Sequence, residues 1–184
     1  MSIRYENIQL ESVYNRLVEA GVVITADRGL NAVTVKSVSD EAGVAEKYFL
    51  QCFSSKHQFI LAMFDYFIFL VEEKIEKYMA EDSGQYGRFT RAYIELSFNS
   101  AWEGVFDKKT ALAALSVSDP ELRAIWSSWL NNMQIKYYQT DGSDHLAMIR
   151  MTAEGLWMGL LSNVDIPNLG KVREYLLEAT HRPG

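Results

Sequence analysis

Hydrophobic residues recur at three- and four-residue spacings along most of this chain, and long strictly alternating runs are missing. Spacings of three and four residues place apolar side chains on one face of an α-helix, whereas a half-buried β-strand needs strict alternation of apolar and polar residues. The pattern therefore predicts an all-α fold with about nine helices. Seven of the predicted helices cover about 7–28, 35–42, 46–52, 55–80, 107–116, 120–138 and 144–162. The other two begin after residues 84 and 168 and end near residues 101 and 180.

Helix-capping residues separate these predicted elements. Gly29 tolerates a positive φ and suits a helix end, and the hydroxyl of Thr34 can accept an amide proton from the first turn of the next helix. Ser55 and Gln58 have the spacing of a capping box at the start of the fourth helix. Asp119 directly precedes Pro120, a pairing typical of an N-cap followed by proline at the first helical position.

Residues 29–59 carry the most specific local pattern in the chain. A short helix follows Thr34, the small residues Ala42-Gly43-Val44 form a turn, and a second short helix leads to Phe53. This arrangement predicts a helix-turn-helix, in which the second helix places its N-terminal residues in the major groove of DNA. The expected small core of this motif consists of Val22, Ala26, Val35, Val38, Val44, Phe49 and Phe53.

The same segment resembles the DNA-binding domain of the TetR family of bacterial regulators. The resemblance rests on Asp27-Arg28-Gly29-Leu30, Val33-Thr34-Val35, Ala42-Gly43-Val44-Ala45, Phe49-Leu50-Gln51-Cys52-Phe53 and Ser55-Lys56-His57-Gln58-Phe59, which keep the family's spacing without insertion. Asp119-Pro120-Glu121-Leu122-Arg123 and Glu154-Gly155-Leu156-Trp157 are similar to phrases of the family's ligand domains. The resemblance implies a helix-turn-helix DNA-binding domain over residues 1–55 and an effector-binding and dimerisation domain over residues 56–184.

Several DNA contacts are implied by this resemblance. Thr34 matches a position that binds phosphate at a helix N-terminus, a geometry that the helix dipole also favours. Lys36 matches a position that is often basic and reaches DNA, and Lys56 matches a lysine that contacts backbone phosphate. The remaining candidates, on the expected reading face, are Lys47, Tyr48 and Gln51. Glutamine can pair with adenine and lysine with guanine or phosphate, although all three could be plain solvated residues.

Other residues depart from the family pattern and argue against DNA recognition. Ala45 replaces the usual serine cap, Glu46 places a negative charge near phosphate, and Leu50 replaces a tyrosine that contacts phosphate. The net charge of the whole chain is −6, and its first 56 residues contain six basic and seven acidic residues, or −1. Because phosphate contacts need cations, a second interpretation is a TetR-fold ligand- or protein-binding module with weakened or lost DNA recognition.

The C-terminal two-thirds is rich in aromatic and methionine residues. The resemblance implies an effector pocket in this domain, and an apolar, aromatic wall suits a hydrophobic or planar ligand. The candidate lining residues are Met63, Phe67, Tyr93, Phe98, Trp126, Trp129 and Met133. The alternative is that these residues form an ordinary helical core, since aromatic residues at helical spacing usually do.

The last two predicted helices carry small residues among large apolar ones. Glycine inside a helix costs about 1 kcal/mol relative to alanine, so close approach of another helix would be a reasonable compensation. The resemblance implies a homodimer through these helices, which suits half-sites one DNA turn apart. The candidate interface residues are Met148, Met151, Gly155, Leu156, Met158 and Gly159. Alternatively, the glycines pack only within the monomer.

The remaining patterns exclude several classes of protein. The apolar run 59–71 contains Asp65 and is shorter than the roughly 20 residues of a membrane span, and no signal peptide is visible. A single cysteine, Cys52, favours a reducing compartment, so we expect a soluble, cytoplasmic protein without membrane partners. The three histidines lack partners at ligand spacing, which predicts no metal and no cofactor. No catalytic motif indicates an enzyme.

These observations together predict a ligand-responsive transcriptional regulator. The expected partners are double-stranded DNA, a small-molecule effector and a second copy of the chain. The predicted activity is repression, in which a homodimer binds a palindromic operator and a small apolar or aromatic effector releases it.

Overall fold

The computed structural model describes residues 2–102, 116–117, 119–162 and 164–181. These residues form nine α-helices, one short 3₁₀ turn (Leu30–Ala32) and no β-strand, which confirms the all-α prediction. The helices are α1 (Ser2–Arg28), α2 (Val35–Ala42), α3 (Glu46–Cys52), α4 (Lys56–Glu81), α5 (Arg88–Trp102), α6 (Pro120–Lys136), α7 (Tyr138–Asp141), α8 (Asp144–Leu161) and α9 (Leu169–Ala179). None of the helices in these ranges is long and apolar enough to cross a membrane.

Two of the predicted boundaries differ from the structure, and one predicted helix falls largely on residues that the structure does not describe. The first helix begins at Ser2 rather than near residue 7. The helix predicted at 120–138 ends at Lys136, because Tyr137 leaves the helical conformation with φ −105° and ψ 16° and the one-turn helix α7 follows. The helix predicted at 107–116 lies almost entirely outside the described residues.

The chain divides into two compact units, the first formed by residues 1–68 with 107–122 and the second by 69–106 with 123–184. In the first unit α1 packs against α2 and α3. Of the expected motif core, Val22, Val38, Phe49 and Phe53 are buried, whereas Ala26, Val35 and Val44 are half-buried. The predicted core of the helix-turn-helix is therefore mostly correct, with its second helix anchored by the two phenylalanines.

Close helix packing in the first unit depends on Gly21 of α1. A Cβ atom at Gly21 would lie 2.3 Å from Sδ of Met63 and 2.6 Å from Cζ of Phe59, both on α4. The Phe59 ring also lies 4.9 Å from the Phe49 ring and 4.8 Å from the Phe53 ring, measured between centroids. The helix-turn-helix is thus fixed to the start of α4 by an aromatic cluster that leaves no room for a larger residue at position 21.

In the second unit α5 packs against α8 and α9, and its core contains charged side chains. Oδ1 of Asp141 accepts hydrogen bonds from the amide (2.8 Å) and hydroxyl (2.7 Å) of Thr90. Arg150 donates from Nη1 to the Thr90 hydroxyl (2.7 Å) and to the carbonyl of Asp141 (3.1 Å). Burial lowers the pKa of Arg150, and the nearby Asp141 charge opposes that shift. This buried network joins α5, α7 and α8.

Candidate nucleic-acid interface

Helix α2 begins with a complete capping box. The Thr34 hydroxyl accepts a hydrogen bond from the Ser37 amide (3.1 Å), and the Ser37 hydroxyl accepts one from the Thr34 amide (2.9 Å). Thr34 itself is extended and exposed. The predicted cap is therefore confirmed, and its reciprocal partner Ser37 was not foreseen. A phosphate contact at Thr34 requires such an exposed helix N-terminus.

The turn of the motif is held by a glycine and by an arginine from α1. Gly43 adopts the left-handed conformation (φ 64°, ψ 40°), and its amide bonds the carbonyl of Asp40 at 3.1 Å. Arg16 donates from Nη2 to the carbonyls of Ala42 and, at 3.3 Å, Gly43. Since carbonyls at a helix C-terminus lack partners within the helix, Arg16 supplies a donor there. No local signal in the sequence marks Arg16 for this role.

Helix α3 presents its predicted reading residues to solvent. Lys47, Tyr48 and Gln51 are all exposed, and the Lys47 ammonium lies 5.0 Å from the centroid of the Tyr48 ring. Leu50 stands beside them and is 66% exposed. Ala45 precedes the helix in an extended conformation without a side-chain cap. Helix α3 is thus held by the buried Phe49 and by Phe53, which directly follows it, and not by a side-chain cap at its N-terminus.

The start of α4 places Lys56 in the open. The Ser55 hydroxyl accepts a hydrogen bond from the Gln58 amide at 3.1 Å. The reciprocal bond differs from a standard capping box, because Oε1 of Gln58 bonds the amide (2.7 Å) and hydroxyl (2.9 Å) of Ser54 and not the amide of Ser55. Lys56 is the first residue of the helix and is exposed. The predicted phosphate contact is therefore sterically accessible.

The electrostatic character of this surface is mixed. The exposed cations Lys36, Lys47 and Lys56 are accompanied by Arg28, whose Nη2 lies 3.8 Å from a carboxylate oxygen of Glu41. A shallow cleft of about 420 Å³ near α2 is lined by Arg28, Thr34, Lys36, Ser37, Asp40 and Glu41. A groove of about 780 Å³ between α1 and α3 is lined by Leu10, Ser12, Val13, Arg16, Gly43, Val44, Ala45, Tyr48 and Gln51. Any DNA contact must come from individually placed cations, since the surface has no broad positive field.

The residues predicted to line an effector pocket are mostly buried and fall in both units. Met63 and Phe67 belong to the first unit, and the other five belong to the second. Six of the seven are buried and Trp126 is half-buried. Trp126 contacts Trp129 with 5.0 Å between ring centroids, and the Tyr93 hydroxyl donates to Glu154. Glu154 is not among the residues that the sequence predicted for this pocket. The assignment of these residues to a pocket stays a prediction.

The residues predicted for a dimer interface lie along α8. Met148 is 65% exposed and Met151 is 51% exposed. A Cβ added at Gly155 would meet nothing within 4 Å, whereas one at Gly159 would lie 3.7 Å from Ile166. The remaining candidates, Leu156 and Met158, are half-buried. Gly155 therefore does not serve packing against the described part of its own monomer.

Comparisons with protein families agree with this arrangement. A model described as "Bacterial regulatory proteins, tetR family" matches residues 17–63, which contain the helix-turn-helix. A second model, "Tetracyclin repressor-like, C-terminal domain", matches residues 87–181 and so covers more than half of the chain. The chain belongs to the TetR family. It is accordingly a transcriptional regulator with a helix-turn-helix DNA-binding domain, and TetR-family proteins are DNA-binding regulators rather than enzymes.

Solved structures share the TetR fold with this chain at low sequence identity. SCO7518 of Streptomyces coelicolor A3(2) is 14% identical, with a TM-score of 0.72 over 92% of this chain and 99% of that one. The multidrug binding protein EbrR, complexed with malachite green, is 13% identical, with a TM-score of 0.69 over 92% and 98%. The superantigen PfiT is 17% identical, with a TM-score of 0.66 over 91% and 96%. No curated protein sequence matches the chain.

Proposed function

We propose that this TetR-family regulator is a cytoplasmic repressor that binds a palindromic operator as a homodimer and is released by a small apolar or aromatic effector. The observation that carries the proposal is the capped helix-turn-helix, which presents its candidate DNA contacts to solvent. These are Thr34, Lys36, Lys47, Tyr48, Gln51 and Lys56. Base contacts from α3 would specify the sequence, and phosphate contacts from Thr34 and Lys56 would position the motif.

In this proposal residues 1–55 bind DNA, and residues 56–184 bind the effector and the second subunit. Exposed Met148 and Met151, together with open space at Gly155, support an interface along α8. A twofold axis there would bury the same apolar surface on both subunits. Two helix-turn-helix motifs related by that axis would read the two halves of a palindrome.

Release by an effector requires that the ligand bind one conformation of the dimer more tightly than the other. The aromatic and methionine residues of the C-terminal domain favour a hydrophobic or planar ligand. The similarity to EbrR, a multidrug binding protein with malachite green bound, is consistent with an aromatic ligand. At 13% identity that similarity supports the fold, and the ligand class rests on the side chains of this chain.

A second candidate is a TetR-fold binding module with weakened or lost DNA recognition. Three observations favour it: the uncapped start of α3 at Ala45, the 66% exposed Leu50 on the reading face, and the −1 charge of residues 1–56. The similarity to the superantigen PfiT is consistent with other uses of this fold. In this case Leu50 and Tyr48 would contact a protein or a ligand.

Selection of genomic fragments on the purified protein, followed by shift assays at several salt concentrations, distinguishes the two candidates. The repressor should bind specific fragments with nanomolar affinity and a steep salt dependence. Lys47→Ala and Gln51→Ala should relax sequence preference, whereas Lys56→Ala should weaken all sequences alike and lower the salt slope by about 1. Lys77→Ala, at an exposed position of α4 in the second unit, is the matched control and should change neither.

The same experiment can contradict the repressor. If a correctly folded dimer binds no fragment even at low salt, the second candidate replaces it. Met151→Glu tests the proposed interface separately, because a charge on a surface buried between subunits should convert the dimer to a monomer in sedimentation analysis. An unchanged dimer would place the interface elsewhere.

A further inference from the structure

Leu50 of α3 is 66% exposed, although it directly follows the buried Phe49 that holds this helix in place. Successive residues of an α-helix lie about 100° apart around its axis, which turns Leu50 out of the buried face. Its neighbour one turn earlier is Lys47, and Gln51 comes next in the chain; both are exposed, and both are predicted reading residues. Leu50 is therefore continuous with the surface that faces DNA in a helix-turn-helix.

The two flanks of this exposed surface differ in chemistry. Tyr48 lies about 200° around the axis from Leu50 and so belongs to the opposite flank. The ammonium of Lys47 lies 5.0 Å from the centroid of the Tyr48 ring, which places this cation on the side away from Leu50. Glu46 occupies the position one turn before Leu50 on the same flank, and we name this pair the Glu–Leu edge. One flank therefore carries a cation and an aromatic ring, and the Glu–Leu edge carries an anion and an apolar side chain.

The charge of Glu46 restricts what the Glu–Leu edge can contact. Glu46 is exposed, and within the described part of the chain its side chain forms no hydrogen bond or ion pair. An unpaired carboxylate repels the phosphates of DNA, because contacts with phosphate need cations or hydrogen-bond donors. The side chain of Leu50 supplies neither. The Glu–Leu edge therefore fits the base edges of the major groove better than the sugar-phosphate backbone.

The apolar group that the major groove offers is the C5-methyl group of thymine, and apolar side chains recognise thymine by contact with it. We infer that Leu50 is a specificity-determining residue that contacts the C5-methyl group of one thymine in each DNA half-site. Phosphate contacts from the cations Lys36 and Lys56 supply affinity, and this apolar contact adds discrimination between bases. The inference rests on the proposed function, because it names a base that the proposed repressor reads.

The test replaces each thymine of a selected operator in turn by uracil, which keeps the base pairing with adenine and removes only the C5-methyl group. The operator is a genomic fragment that the full-length protein retains, and affinity is measured by fluorescence anisotropy at a salt concentration where every variant binds. At one thymine of each half-site, uracil should weaken binding of the wild-type protein by about fourfold, which is the effect of leaving one methyl group unburied.

Substitutions of Leu50 assign this difference to its side chain. Asparagine has nearly the shape of leucine but a polar end, so Leu50→Asn should bind the thymine and uracil operators with equal affinity at that position. Leu50→Met keeps an apolar side chain and should keep most of the difference. The matched control is Ile135→Asn, which makes the same kind of change at a side chain of α6 that is 73% exposed, and it should leave the difference intact.

Two results would overturn the inference. One is specific binding in which no uracil substitution weakens the wild-type protein, and the other is full retention of the difference in Leu50→Asn. Both leave the proposed repressor in place, because the protein still binds its operator. A protein that retains no genomic fragment even at low salt would instead contradict the proposed repressor and, with it, a reading role for Leu50.

Discussion

The two compact units of this chain have cores of different chemistry. The first contains an apolar aromatic cluster, in which Phe49, Phe53 and Phe59 surround the end of the helix-turn-helix and α4 approaches α1 at Gly21. The second contains a hydrogen-bonded network around Arg150 and Asp141, both almost completely buried. The stability of the unit that carries the DNA-binding motif thus depends on close apolar packing. The stability of the other unit depends in part on buried polar groups that bind one another.

This difference predicts different sensitivities to mutation. A tightly packed apolar core tolerates substitutions that conserve side-chain volume but not substitutions that add atoms, since the neighbouring side chains have no space to move into. In a buried polar network the loss of any one partner lowers stability, because the groups left behind have lost their contact with water without a hydrogen bond in exchange.

The largest expected effect is that of Arg150→Leu in the second unit. The substitution leaves the buried Asp141 carboxylate without its nearby positive charge and the Thr90 hydroxyl without its donor. We expect the free energy of unfolding to fall by about 3–5 kcal/mol, measured by urea denaturation. Lys77→Leu, on the exposed surface of α4 in the same unit, should change it by no more than about 0.5 kcal/mol. A loss below about 1 kcal/mol for Arg150→Leu would mean that the network contributes little.

The second-largest expected effect is a loss of stability in the first unit. Gly21→Ala places a Cβ where Sδ of Met63 and the Phe59 ring already lie, and both of those side chains are fully buried. Overpacking of this kind typically costs about 1–3 kcal/mol. Lys77→Ala, at an exposed position of α4, is the control and should change the free energy of unfolding by no more than about 0.5 kcal/mol. Equal melting temperatures for the two variants would contradict close packing at Gly21.

The third prediction compares the two helices of the DNA-binding motif. Thr34→Ala removes a side-chain cap that the structure contains, whereas Ala45→Ser adds one where it is missing. We expect a loss of about 1 kcal/mol from the first change and a gain of similar size from the second. Thermal unfolding measures both, and Thr34→Ser should behave like the wild type. If Ala45→Ser gave no gain, the packing of Phe49 and Phe53 alone would set the stability of α3.

The smallest effect concerns acid sensitivity at Asp82. Burial raises its pKa, but the hydrogen bonds from Arg91 and Gly84 and the Arg91 charge outweigh this and hold the pKa below its ordinary value of 3.8. Because the folded pKa is lower than the unfolded one, the stabilisation is complete above about 3.8 and is lost as the pH falls through the folded pKa. Asp82→Asn should therefore flatten the acid limb of the stability profile. An unchanged acid limb would exclude a contribution from this pair.

Local features of the motif were predictable because they depend on neighbouring residues. Thr34 caps α2, Gly43 takes the left-handed turn, and Asp119 accepts bonds from the amides of Glu121 and Leu122, as the sequence indicates. The exposure of Lys47 and Gln51 also follows from helical periodicity, since Phe49 and Phe53 mark the buried face. The end of the helix at Lys136 was missed, because Tyr137 breaks the helix without glycine or proline.

Features that join distant segments were not predictable in this way. Arg16 binds a carbonyl 26 residues away, and Tyr93 binds a carboxylate 61 residues away. Arg150 offered a partial signal, as the one lysine or arginine of the mostly apolar helix α8, but nothing in the sequence identifies Thr90 and Asp141 as its partners. Such partners depend on how helices pack, and many side chains of the right type compete for each position.

The sequence by itself determined the all-α class, the helix-turn-helix and most helix ends, because caps, turns and amphipathic faces are set within a few residues. The tertiary structure alone decided how α3 is held without a cap, which charges are buried, and which residue binds the Tyr93 hydroxyl. Those outcomes depend on which surfaces exclude water from one another, and that property belongs to the packed helices and not to any single segment.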